Sequence, residues 1–132
     1  MNNQLEYIIN EAERLEKNSN FLEYIFTQLK LNRYEQIAEL YEKAGRICKI
    51  CDKLLAVKYF TKASNYYQLA NVFDLNYKQK EILTELANLY LKIDYRKSIK
   101  YYNKLVDHYY SHGDISNIIK THKTIGDIYF DN

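Results

Sequence analysis

Apolar residues return at helical spacing along almost the whole chain. Leu5, Ile8, Ile9, Ala12 and Leu15 keep the i, i+3, i+4, i+7 pattern that lines one face of a helix. Asn18, Ser19 and Asn20 then offer cap and turn chemistry, so a first helix is predicted over residues 2–17. A second stretch, 33–50, sets Ile37, Leu40, Tyr41, Ala44, Ile47 and Cys48 on one face. Cys51, Asp52 and Lys53 interrupt it before Leu55, Ala56, Tyr59, Phe60 and Ala63 resume the pattern over 54–69, making a helical hairpin. After a turn predicted around 71–76, Ile82, Leu83, Leu86, Ala87 and Tyr90 mark a fourth helix. Ile93-Asp94-Tyr95 leads into a fifth with Ile99, Tyr102, Leu105, Val106 and Tyr109. Gly113 is suited to a left-handed C-cap and Asp114 to the next N-cap, ahead of a sixth helix carrying Ile115, Ile118, Ile119, Ile125, Ile128 and Tyr129.

Equivalent helices recur about every 40 residues, the period of stacked helix pairs that cover one another's apolar faces. Ala44, Ala56, Phe60 and Ala63 follow tetratricopeptide spacing, in which small residues let two helices approach and an aromatic fills the gap. Ala87, Tyr90, Ser98 and Tyr102 repeat this in the second hairpin, shifted by one residue. The expected fold is therefore all-α: one domain, 1–132, built as a tetratricopeptide-like right-handed stack of antiparallel helix pairs with about six helices. An ordinary helical bundle is the alternative, since any tightly packed antiparallel pair favours small residues.

Composition sharpens this picture. The chain has no Pro and only three Gly, so little would interrupt helices or build tight strand turns. No apolar run approaches the roughly 18 to 20 residues of a spanning helix, and residues 1–6 lack a signal-peptide layout, so a cytoplasmic protein is expected. Two cysteines cannot staple a secreted framework. Residues 1–45 hold eight acids against five bases, whereas the remainder holds nine acids against fourteen. That mild dipole and a pI near 8.4 fall short of a nucleic-acid footprint, so no nucleic-acid partner is expected.

A more specific pattern begins at Glu11-Ala12-Glu13-Arg14, continues through Lys17-Asn18-Ser19 and Phe21-Leu22, and reaches Tyr41-Glu42-Lys43-Ala44 after a linker. Ala87-Asn88-Leu89-Tyr90, Tyr95-Arg96-Lys97-Ser98-Ile99, Tyr109-Tyr110, Ser116-Asn117 and Lys123-Thr124-Ile125-Gly126 follow in order. In this order and spacing the chain resembles the SNAP family, adaptors that bind SNARE bundles at membranes and recruit the disassembly ATPase NSF. Two departures stand out. The family's stretch between the first hairpin and the region matching 87–99 is longer by roughly one helix pair, which implies a skipped repeat. Family members also continue past the position of Asn132 to an acidic, leucine-containing C-terminus that activates NSF. The resemblance thus implies a module that binds syntaxin-like SNARE complexes without fully activating an NSF-type ATPase. A generic tetratricopeptide-like scaffold reading an unrelated partner is the other expectation.

The resemblance also nominates residues. In the family, a loop after the first helix dips apolar side chains into the bilayer; Phe21, Leu22, Ile25 and Phe26 match it within a predicted loop, 18–32. Lys17, Lys30 and Arg33 lie beside it to favour anionic lipid, implying peripheral membrane association. The same stripe would equally serve to pack on the first two helices. For an acidic SNARE bundle the cations expected on the first helix of each pair are Lys78 and Lys80, then Lys120 and Lys123, with Asn117 beside them. Ser116-Asn117 and Lys123 match the family most directly.

Cys48 and Cys51 have the spacing of half a zinc site, and His108 and His112 of another half. With 56 residues between the halves, packing cysteines are the better reading and no metal or other cofactor is expected. Gly45, Gly113 and Gly126 are isolated, so there is no phosphate-cradling loop, and no HExxH or GxSxG motif occurs; an enzyme is not expected. The isoleucines of the sixth helix, with Phe130, would leave apolar surface at one end of the stack, which implies self-association there.

Overall fold

The computed structural model describes the backbone of residues 2–25, 27–70 and 76–132, and the side chains of 3–17, 33–70 and 77–132. Among them are six helices, α1 (Asn2–Ile25), α2 (Thr27–Cys48), α3 (Lys53–Ala70), α4 (Asn76–Leu91), α5 (Tyr95–Ser111) and α6 (Ile115–Asp131). The fold is all-α, and no strand occurs among the described residues.

The first helix corrects its predicted end. It runs on past Lys17 to Ile25, and α2 starts at Thr27 rather than 33, so the backbone expected to form a loop is helical over 18–25 and 27–32. Asn and Ser cost a helix only about half a kcal/mol each relative to Ala, and without Gly or Pro a polar run does not end one. The remaining boundaries follow the pattern closely, because chemistry that does stop helices stands between them. Asp52 Oδ1 accepts from the Leu55 amide at 3.1 Å, and Asp94 Oδ1 from the Arg96 amide at 3.1 Å. Gly113 takes φ 66°, a left-handed turn that residues with a Cβ resist, and Asp114 Oδ1 accepts from the Asn117 amide at 3.3 Å. The turn expected around 71–76 lies outside the described residues, save for Asn76, where α4 begins.

Two compact units divide the chain, Met1–Ile82 and Leu83–Asn132. In the first, Ala44, Ala56, Phe60 and Ala63 are all fully buried where α2 meets α3. Gly45 lets the helices close further: a Cβ built there would stand 2.9–3.0 Å from three atoms of the Phe60 ring. Tyr41, Tyr67, Ile37 and Cys48 complete this core, with Ala12 and Ile8 buried on α1. In the second unit, Ile99, Val106, Ile125 and Ile128 form the cluster between α5 and α6, with Tyr95 and Tyr102 packed against it. Ser98, fully buried, donates to the Ala87 carbonyl at 2.7 Å, and Tyr102 donates to Asn88 at 2.6 Å. These are the small and aromatic positions that the tetratricopeptide spacing nominated.

Candidate functional site

Lys120 and Lys123 stand exposed, nearly one turn apart on α6. Asn117, one turn earlier, is half-buried and already engaged: its side-chain amide donates to Asp114 Oδ2 at 2.7 Å, so it braces the helix start. The other two nominated cations lie in the first unit, on the opening turns of α4. Lys78 is half-buried with Nζ 3.7 Å from Glu42 Oε2, and Lys80 is likewise half-buried and has an interaction of its own. Of the five nominated positions, then, Lys120 and Lys123 present the most accessible charge.

Lys78 belongs to a network that the sequence pattern did not reveal. Glu42 is almost wholly buried, yet its Oε1 accepts from the Tyr67 hydroxyl at 2.7 Å and its Oε2 from Arg46 Nη2 at 2.7 Å and Nε at 3.2 Å. Arg46 also reaches Glu81 at 3.6 Å. Burial alone would push the Glu42 carboxyl up; the bonds from Arg46 and Tyr67 and the charges of Lys78 and Arg46 outweigh it and hold the group below the usual carboxylate range. The Tyr67 hydroxyl is pushed above the tyrosine range, first by burial and then by its bond to Glu42. A carboxylate so fully supplied with donors is a strut joining α2, α3 and α4, poorly suited to proton transfer. Its sequence signal was the Glu42 and Arg46 spacing of four, one turn on from buried Ala38.

Glu16 plays the same part for α1. It accepts from the Tyr66 hydroxyl at 2.5 Å and from the Tyr41 hydroxyl, tying α1 to both α2 and α3. Both hydroxyls are pushed above the ordinary range, by burial first and by Glu16 second. Lys62 lies over the Tyr41 ring at 5.0 Å.

Phe26 lies outside the described residues; Phe21, Leu22 and Ile25 fall within the last turns of α1, their side chains outside the described set. No helix among the described residues is long and apolar enough to cross a membrane. The two cysteines differ. Cys48 is buried, with its thiol pushed up by burial and then by Cys51 and Asp52, whereas Cys51 is exposed rather than packed, because it sits in the turn that closes α2. His108 and His112 stack with ring centres 4.4 Å apart, and among the described residues no group of three His, Cys, Asp or Glu is placed to hold a metal. A shallow depression between α1 and α3, lined by Leu5, Glu6, Ile9, Asn10 and Tyr59, is open to solvent and holds no paired carboxylates.

No curated protein and no solved structure matches this chain. Residues 3–132 match the family described as soluble NSF attachment protein, SNAP. That match spans the capped helices, both hairpins and the exposed Lys120 and Lys123, and on it the chain belongs to the SNAP family.

Proposed function

We propose that this chain is a non-enzymatic adaptor that docks on SNARE bundles in vesicle-mediated transport and membrane fusion, with Lys120 and Lys123 as its leading contacts. The family match over residues 3–132 carries the reading, since SNAP proteins act on SNARE complexes together with NSF. The exposed pair on α6 supports it. Solvated lysines lose little hydration on approaching an acidic helical bundle, and they act mainly on orientation and association rate. Lys78 and Lys80 are secondary contacts, Lys78 because Glu42 already offsets its charge. Phe21, Leu22, Ile25 and Phe26 are proposed to hold the adaptor peripherally on the membrane beside the bundle.

Binding of the purified chain to an assembled SNARE bundle, followed by fluorescence anisotropy at low and high salt, tests this. Wild type is expected to bind with an affinity that falls as salt rises. Lys120→Glu with Lys123→Glu should weaken binding about tenfold, mostly through the association rate, with unchanged helicity. Absence of wild-type binding overturns the reading; binding indifferent to the double variant overturns the assigned contacts.

A further inference from the structure

The turn between α2 and α3 reads Lys49-Ile50-Cys51-Asp52-Lys53-Leu54, and its large apolar side chains stay out of the core. Ile50 is 85% exposed and Leu54 69%, whereas Cys48 and Ala56, two residues to either side, are buried. The backbone beneath them is already bonded. The Lys49 amide donates to the Gly45 carbonyl at 2.9 Å, those of Cys51 and Asp52 to the Cys48 carbonyl at 3.1 and 2.7 Å, and that of Leu55 to Asp52 Oδ1 at 3.1 Å. Around the apolar pair stand Lys53 and Lys58, both exposed, and Lys49, half-buried; the one acid of the turn, Asp52, is the residue engaged in that cap. The acids of α1 that face this hairpin, Glu6 and Glu13, stand around Tyr59, about 8 Å further along α3. We propose that the turn is a bilayer contact: Ile50 and Leu54 enter the interfacial region of an anionic membrane, and Lys49, Lys53 and Lys58 stay level with the lipid headgroups.

Three features select lipid over a protein partner. Two projecting side chains fall far short of the about 1,200 Å² that a specific protein complex buries, and a folded partner would need a pocket cut to their outline, whereas acyl chains close around any projection. The bonded amides let the turn approach the hydrocarbon without carrying unsatisfied donors into it. Three lysines against one acid match the negative potential of an anionic leaflet. Single exposed apolar residues are ordinary, and the α5–α6 turn shows that exposure alone is not the signal. Ile115 is 68% exposed there, yet no Lys or Arg occurs from 105 to 119, so the basic collar is missing. The α4–α5 turn repeats both parts at lower exposure, with Leu91 and Ile93 beside exposed Lys92, Arg96 and Lys97. The contact is separate from the one proposed at Phe21 and Leu22, and it rests neither on that one nor on SNARE binding.

Cys51 gives the test its probe. It is exposed between Ile50 and Leu54, while Cys48 is buried with its thiol pushed up, so a thiol-reactive, environment-sensitive fluorophore attaches at residue 51. With vesicles of mixed phosphatidylcholine and phosphatidylserine the labelled chain should brighten and shift to the blue. Pure phosphatidylcholine vesicles, or high salt, should abolish the change. In co-sedimentation of the unlabelled chain, Ile50→Ser with Leu54→Ser should weaken binding at least about tenfold, as should Lys53→Glu with Lys58→Glu. Both pairs are exposed, so helicity should not change. Ile115→Ser should bind as wild type does. A label blind to anionic vesicles overturns the proposal, even where the chain still co-sediments through Phe21 and Leu22. Equal losses for Ile115→Ser and the tip variants overturn it as well, as does a blue shift produced by a SNARE bundle without lipid. A shift that survives Phe21→Ser with Leu22→Ser supports the tip whatever becomes of the other contact.

Discussion

Gly45 and Gly126 both sit inside helices, so the same substitution, Gly→Ala, should act with opposite signs at the two sites. In each helix alanine gains about 1 kcal/mol over glycine from its smaller loss of backbone freedom. At Gly126 the new methyl meets nothing within 4 Å, and that gain should appear almost whole as added stability. At Gly45 the methyl falls 2.9 Å from Cγ of Phe60 and 3.0 Å from both neighbouring ring carbons. Phe60 is fully buried, and the clash is at the root of the ring, where rotation gives no relief. Overpacking of this kind costs about 1–3 kcal/mol, so Gly45→Ala should lose about 1 kcal/mol net. The two variants should therefore differ by about 2 kcal/mol in urea unfolding followed by far-UV circular dichroism, at a concentration low enough to keep the chain monomeric. Equal stabilisation by both would refute the close approach of α2 and α3 at Phe60.

The Glu42 network gives stability a pH dependence. Its carboxyl titrates below the ordinary 4.5 in the folded chain, so the stabilisation is complete above that value and is lost as pH falls through the lower folded value. Urea midpoints measured from pH 7 down to pH 3 should fall more steeply for wild type than for Glu42→Gln. Glu16→Ala leaves the Tyr41 and Tyr66 hydroxyls without their shared acceptor, and thermal unfolding should show a loss of about 1–3 kcal/mol. Phe60→Ala removes the aromatic between α2 and α3, and should cost about 3–5 kcal/mol in the same measurement. For the membrane reading, Phe21→Ser with Leu22→Ser should reduce co-sedimentation with anionic vesicles; unchanged binding would remove these residues from the contact.

Helix positions were legible because amphipathic period and caps are local. Ile99, Val106, Ile125 and Ile128 announce their buried faces by spacing alone, and Gly113 with Asp114 marks a boundary through its own backbone chemistry. The small residues Ala44, Ala56 and Ala63 forecast a tight hairpin for the same reason. The end of α1 is not legible locally: the polarity of Asn18 to Asn20 looks like a turn, yet the helix runs on to Ile25, because only glycine, proline or a competing cap costs a helix enough to stop it.

What the linear pattern could not supply was partnership across the fold. Glu16 meets Tyr66 fifty residues away, and Glu42 meets Tyr67 twenty-five residues away; the spacing of Glu42 to Arg46 marks an ion pair on one helix, but nothing near either glutamate in the chain names its tyrosine. Tertiary packing likewise separated Lys78, drawn towards Glu42, from Lys120 and Lys123, which remain exposed. It also buried Cys48 while leaving Cys51 in solvent. Periodicity fixes which face of a helix seeks cover, but the accessibility of each charge depends on which neighbouring helix arrives beside it.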